Sequence, residues 1–355
     1  MPKASIFTDI HICSHKGSVE RLTHCLTVLD WVFETSYKEK VDYLFFLGDL
    51  FHEKDKIDVL AYLRTFEIFQ KYMTKHTPFE TYLLLGNHDL YLKNSWLINS
   101  VKPLSAIPKC TVIDKPTTIN FQGINVDWMP YTENPLRDLD QLKESSDGHL
   151  LLGHLAIDGA MLNIFYGTKS DVIVEYDNDM IAVDKHVFSF WKKVKLGHYH
   201  SWQILDNIEY IGSPLQLTYG EAFQQKHLQI LDLETLESKY VINDFSPKHF
   251  IINANEIDNY NLDNSFVRLS IDNLGSRDII DLKQKITKNY NVLSFDTKKK
   301  DKNVEEDKTF IDGAKTILLN IRQMLETYVQ ERNIPEGMDK NKLLKIGEKC
   351  LEKKI

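Results

Sequence analysis

Thirteen histidines stand in this chain, and the informative ones share short segments with carboxylates and one asparagine. Five such segments follow in order: Asp9-Ile10-His11, Gly48-Asp49, Gly86-Asn87-His88-Asp89, Gly153-His154 and Gly197-His198-Tyr199-His200. Carboxylate oxygens, imidazole nitrogens and one amide oxygen make a mixed donor set suited to Mn²⁺, Fe²⁺ or Zn²⁺, whereas an all-oxygen set would favour Mg²⁺ or Ca²⁺. In Asp9/His11 and His198/His200 the i, i+2 spacing on extended backbone turns both side chains to one side, so that they grip one ion or two adjacent ions. A single pair of this kind is weak evidence, because lone histidines are commonly packing or surface residues. Five in order are not coincidence. The four cysteines, Cys13, Cys25, Cys110 and Cys350, show no CxxC spacing and suggest neither a disulfide framework nor a thiolate zinc site.

The elements that must position these side chains follow from the apolar pattern. A strand is predicted over 4–8, a helix over 19–37 from the spacing of Val19, Leu22, Leu26, Leu29 and Phe33, a strand over 43–47, an amphipathic helix over 59–73 and a strand over 81–85. Every metal-type segment but the first follows a glycine at the end of an apolar strand. Strand ends in α/β sheets converge on one edge, and glycine lets the backbone turn there so that the next side chain faces a shared pocket. Further strands at 111–113, 124–128, 150–152, 194–196, 209–211 and 228–233 fit a layered α/β sandwich better than a doubly wound sheet. Beyond Pro247 a strand over 266–271, a helix over 277–287 and a strand over 291–295 predict a small βαβ-like domain. Residues 298–308 (KKKDKNVEEDK) read as a solvated linker. After it, Ile311, Ala314, Ile317, Leu318, Ile321, Met324, Leu325 and Tyr328 recur at helical spacing, and Pro335 and Gly337 separate that helix from a shorter, Lys-rich one. The expected domains are 1–247, 248–297, 298–308 and 309–355.

Composition sets outer bounds. Apolar residues at 43% and charged residues at 26% fit a globular protein with a buried sheet. No apolar run reaches the roughly 18–20 residues of a membrane span, so a cytoplasmic location is expected, in the host cytoplasm or at the nucleoid if the chain is viral or bacterial. The net charge of −8 does not suit binding of nucleic acid through bulk electrostatics. Basic contacts would have to be local or supplied by a partner; Lys54, Lys56, Lys185, Lys192, Lys193 and Lys195 are the local candidates.

Taken together the five segments resemble the calcineurin-type metallophosphoesterase superfamily, whose pattern is DxH, GD, GNH(D/E), GH and GHxH, across 4–219. Gly48-Asp49-Leu50-Phe51-His52 is similar to the SbcD-type nuclease branch, the nuclease of the Mre/Rad complexes, where a histidine follows the aspartate by three. Protein phosphatases carry an arginine soon after that aspartate, and none occurs here between Asp49 and Arg64.

The resemblance implies a four-layer α/β/β/α sandwich with a small α+β capping domain and C-terminal partner-binding helices. It also implies two divalent ions, Mn²⁺ with Mg²⁺, Fe²⁺ or Zn²⁺ as alternatives: Asp9, His11 and His200 would hold one, Asn87, His154 and His198 the other, and Asp49 both. The nucleophile would then come from water and not from a side chain. His88 would act as general acid or stabilise the transition state, and His52 would support it or contact the phosphate. Asp89 is expected to orient a histidine. Gly212-Ser213-Pro214 and Tyr219-Gly220-Glu221 read either as shaping the site or as plain turns. The implied substrate is DNA, cut exo- or endonucleolytically in break processing, recombination or repair. The implied partners are an SbcC-type SMC-like ATPase, bound through 309–355, and a second copy of the chain, met through helices near 59–73 and 90–101. The rival reading is a stand-alone phosphodiesterase or phosphatase acting on small molecules or proteins. A metal-dead scaffold would not need every ligand position filled, and none is lost.

Overall fold

Short runs of β-favouring apolar residues, covered on both faces, form the centre of the chain. A computed structural model describes residues 1–12, 18–161, 163–166, 172–175, 182–271 and 274–298. Beyond Lys298 the expected linker and the helices expected over 309–355 lie outside the described residues. Lys3–Phe7, Tyr43–Phe46, Glu80–Leu84 and Cys110–Ile113 pair in parallel, and Lys226–Asp232 and Ser238–Asn243 extend this sheet antiparallel beyond Lys3–Phe7, making six strands. A second six-stranded sheet runs in the order Gln203–Leu205, Ile208–Tyr210, Lys193–Gly197, Leu150–His154, Ile124–Met129, Thr117–Phe121, parallel at its centre and antiparallel at both edges.

The two-residue period of the strands divides the core. Ala4, Ile6, Phe45 and Leu84 face Phe121, Val126, Trp128 and Leu152 of the other sheet. Phe7, Leu44, Phe46 and Leu83 belong to a separate cluster under α1 (Val19–Lys38) and α2 (Val59–Tyr72), with Leu29, Phe33 and Phe69. On the far side α3 (Pro135–Lys143) contributes Leu139 and Leu142 to a cluster with Leu151, Val194 and Leu196. Four layers result. Both long helices start at capped ends: Ser18 Oγ accepts from the Arg21 N–H at 3.3 Å, and Asp58 Oδ1 accepts from the Ala61 N–H at 3.1 Å. A smaller parallel sheet of Lys248–Asn253, Ser265–Ser270 and Ser294–Lys298 carries α4 (Ser276–Asn289) as its last crossover. No described helix is long and apolar enough to cross a membrane.

Two expectations are corrected. Residues 90–101, expected to contribute a helix to self-association, form a hairpin of Leu90–Leu92 and Ser95–Asn99. Leu-Tyr-Leu and Trp-Leu-Ile flank a Lys93-Asn94 turn, and these residues favour a pleated surface. Lys195 is no phosphate contact: it is fully buried, and its ammonium meets the carboxylate of Glu209 at 2.7 Å, its cross-strand partner. Lys193 and Lys185 are also ion-paired, to Glu209 at 3.3 Å and Asp206 at 2.8 Å. Lys248–Asn253, directly after the expected boundary at Pro247, adds a strand that the apolar pattern does not mark.

Candidate metal centre

The glycines at the strand ends are required by close approach. At Gly48 (φ +102°) a Cβ would run into the His154 ring and the Gly86 backbone, and at Gly86 it would overlap the Asp49 carboxylate. With no side chain at either point, the ends of Tyr43–Phe46 and Glu80–Leu84 close on each other. The backbone then turns sharply, and Asp9 (φ 50°), His11 (φ 45°), Asp49 (φ 63°) and His198 (φ 100°) all adopt left-handed conformations. Asp89 locks this arrangement. Its Oδ2 accepts the N–H groups of Asp49 and Gly86, each at 2.8 Å, and its Oδ1 accepts the Leu50 N–H at 3.1 Å. The expected contact with a histidine gives way to this backbone clamp, because three orphan N–H groups beside a buried carboxylate are stronger claimants than an imidazole. Burial and the nearby Asp49 charge push the Asp89 carboxyl up to about 7.

All seven candidate ligands converge. Asp9, His11 and His200 form one group, and Asp49, His154 and His198 form another. His11 Nε2 lies 3.0 Å from His200 Nε2 and 3.7 Å from Asp9 Oδ1. Asn87 Oδ1 sits 3.1 Å from His154 Nε2 and 3.2 Å from His198 Nδ1. Asp49 Oδ2 stands between the groups, 3.5 Å from His11 Nε2 and 3.4 Å from His154 Nε2. Donor atoms about 3.0–3.4 Å apart are the edges of a coordination polyhedron with bonds of about 2.1 Å. Asp9 Oδ1 is buried with no hydrogen-bond partner, an arrangement that an added cation would relieve. The donor set fits divalent ions, as the chemistry of its nitrogens and oxygens requires.

Electrostatics agree with the geometry. Burial holds the His11 imidazole down at about 4, and burial with the neighbouring His154 holds His198 at about 3, so both are neutral and offer lone pairs. Burial opposes a charge on His154 as well, but Asp49 and Asp9 raise it to about 9. The Asp49 carboxyl lies well below the usual range despite its burial, chiefly because of His154. His154 Nδ1 donates to the Leu47 carbonyl at 2.6 Å, which leaves Nε2 toward the cluster.

His88 and His52 stand beside this centre. The His88 N–H donates to Asp49 Oδ1 at 2.9 Å, and its Nδ1 lies 2.6 Å from the His52 carbonyl oxygen. His52 stacks on His88 with ring centroids 5.2 Å apart, and its Nδ1 is 3.4 Å from His11 Nδ1. His11, His52 and His88 thus form a third group of possible metal-binding residues. Lys54 and Lys56 are exposed after His52, and Lys192 is exposed ahead of the last histidine motif. Sequence reasoning left one buried residue without a role: Glu221, whose carboxylate meets His200 Nδ1 at 3.2 Å. The sequence marks its segment, but only the fold brings it to the histidine.

Residues 3–206 match the calcineurin-like phosphoesterase family. The chain belongs to that family. Two relatives of this phosphoesterase are exonuclease subunit 1 of Enterobacteria phage T4, 32% identical over 163 residues, and the SbcD component of the SbcCD nuclease of Staphylococcus epidermidis, 27% identical over 228 residues. The matches cover 45% and 56% of this chain, and 44% and 57% of those proteins, so the phosphoesterase spans about half the length of the curated relatives it matches. A solved archaeal phosphodiesterase, 12% identical, covers 68% of this chain with 99% of its own at a TM-score of 0.34, a similarity too low to bear on function. The family uses divalent metals, and the His/Asp groups described above are residues able to hold them.

Proposed function

We propose that this phosphoesterase is a metal-dependent DNA nuclease subunit that hydrolyses phosphodiester bonds. The observation that carries the reading is Asp49 Oδ2, set between His11 and His154 at nearly equal distances, where one carboxylate would serve two ions. In this reading Asp9, His11 and His200 hold one ion, Asn87, His154 and His198 hold the other, and Asp49 is shared. When bound, two such ions polarise the phosphodiester and lower the pKa of an attacking water. The protein's own share is orientation and proton transfer. His88, its Nδ1 taken by the His52 carbonyl, keeps Nε2 to protonate the departing oxygen or steady charge on the phosphate. His52 supports that ring by stacking, and Lys54, Lys56 and Lys192 supply exposed positive charge for the backbone of the substrate.

Nucleic acid as substrate is supported by the SbcD-type spacing of Asp49 and His52 and by the nuclease names of both relatives, and manganese as the working ion by the mixed nitrogen and oxygen donor set. On this reading 1–247 is the catalytic domain, 248–297 a cap that presents DNA, 298–308 a linker and 309–355 the segment that binds an SbcC-type SMC-like ATPase, in DNA break processing or recombination in the cytoplasm. A homodimer is supported by the exposed Val59, Leu60 and Leu63 of α2 and by Leu97 and Ile98 of the hairpin.

The test is Mn²⁺-dependent cleavage of end-labelled duplex and single-stranded DNA, run beside bis-p-nitrophenyl phosphate, with Asp49→Ala as control. DNA cleavage lost in the variant supports the nuclease. Hydrolysis of the small diester with DNA left intact, even with the ATPase partner added, would turn the reading to a phosphodiesterase of small molecules.

A further inference from the structure

Glu221 is fully buried in the turn after the last histidine motif, where an isolated carboxylate would be driven to protonate. Three donors hold it instead. Lys226 Nζ reaches Oε2 at 2.7 Å, Ser213 Oγ reaches the same oxygen at 2.9 Å, and His200 Nδ1 lies 3.2 Å from Oε1. With Nδ1 committed to Glu221, the other ring nitrogen of His200 is the one turned to His11 Nε2 at 3.0 Å and Asp9 Oδ1 at 4.0 Å.

The backbone of His200 is gripped by the same group. Lys226 Nζ donates to the His200 carbonyl at 2.8 Å, and the Ser213 N–H donates to it at 3.0 Å. The turn that carries Glu221 is itself fixed from the small parallel sheet. The Arg268 guanidinium lies 3.9 Å over Tyr219, and Phe223 meets Phe250 and Tyr260 with centroids 5.6 and 5.7 Å apart. The contrast with His154 is informative. That ring is oriented by a neutral carbonyl, whereas His200 alone among the candidate ligands has a full carboxylate, outside the ligand set, on its distal nitrogen among the described residues.

We propose that Glu221 is a positioning residue for the metal centre: it fixes the tautomer and rotation of His200 and tightens the ion held by Asp9, His11 and His200. The proposal rests on the ligand assignment given under the proposed function. A carboxylate on the second nitrogen of a ligating imidazole fixes the ring and raises its basicity, and its removal weakens metal affinity by roughly 10–100-fold.

The test is equilibrium Mn²⁺ binding to the full chain, by titration calorimetry and electron paramagnetic resonance, for wild type, Glu221→Gln and the double variant Glu221→Gln/Lys226→Met. The double variant removes both buried charges together, so that no ammonium is stranded, and cooperative melting in chelator confirms its fold. Wild type should bind two ions. Both variants should keep one ion at unchanged affinity and bind the other roughly tenfold or more weakly, with cleavage lost at limiting Mn²⁺ and recovered at excess. Recovery by excess ion is something a merely structural lesion would not give. Two ions bound by the folded double variant within about twofold of wild-type affinity would overturn the role of Glu221 alone. A wild-type chain that binds no Mn²⁺ would overturn the ligand assignment and this proposal with it.

Discussion

Two clusters of buried charge lie in this sandwich, and they are built on opposite rules. In the first, Lys195 donates to Glu209 at 2.7 Å and to Gln229 Oε1 at 2.8 Å, while Glu209 Oε1 accepts from Gln229 at 2.8 Å and from Trp202 and Tyr240 at 3.1 Å. Every donor there has its acceptor. In the second, Asp9 Oδ1 has no hydrogen-bond partner, and imidazole nitrogens face one another at 3.0 Å. A buried polar network either satisfies itself or is a standing cost to the fold. The first cluster joins the sheets; the second is complete only with something added.

Asp49→Ala tests that contrast most severely. It removes the carboxylate that stands between the two groups, and turnover should fall by more than the roughly 10²–10³-fold that follows loss of one preorganised electrostatic contact. The same variant should lose most of the stabilisation by Mn²⁺, which for wild type reaches about 2.7 kcal/mol for an ion at a hundredfold excess over its dissociation constant. Thermal melts with and without Mn²⁺ read this directly. An undiminished shift in Asp49→Ala would mean that the second cluster does not hold the ion.

His88→Ala should separate chemistry from binding. Turnover is expected to drop roughly 10²–10³-fold, with the Mn²⁺-induced melting shift intact; parallel loss of both would make His88 part of the ligand set. Glu209→Gln should do the converse. Stranding Lys195 without its partner is expected to lower stability by about 3–5 kcal/mol in urea unfolding, while the folded fraction keeps its turnover. That stability is pH-dependent with a fixed sign. Although burial raises it, pairing with Lys195 holds the Glu209 carboxyl at about 2, against about 4.3 in the unfolded chain. Its contribution is present above the unfolded value and is lost as pH falls toward 2, so the gap between wild type and variant should narrow across that window. The smallest effect is expected from His52→Ala, roughly tenfold on turnover at limiting Mn²⁺, because its ring backs His11 and His88 without belonging to the two main groups.

How much of this was legible beforehand depended on whether a feature is local. The central strands announced themselves as apolar runs ending in glycine, and those same glycines marked where the seven candidate ligands would meet. Edge strands were harder to see. Thr117–Phe121 and Ser238–Asn243 are half polar because one side meets solvent, and α3 carries only Leu136, Leu139 and Leu142 on a polar background. The roles of Lys195, Asp89 and Glu221 were misjudged or left open for one reason. Each is decided by a partner brought from elsewhere in the fold: Glu209 across a strand pair, the Asp49 and Leu50 amides across a sheet edge, His200 across a turn.

The left-handed backbone at Asp9, His11, Asp49 and His198 has a consequence for lineage. Each such residue costs on the order of 1 kcal/mol or more relative to one at ease there, and glycine or asparagine would relieve it. A descendant released from catalysis but kept for another role would therefore gain stability by losing these side chains. Decay of the activity would be favoured at every step by the fold itself, and the first scars would appear at these four positions, ahead of the candidate ligands His154 and His200 that carry no such strain.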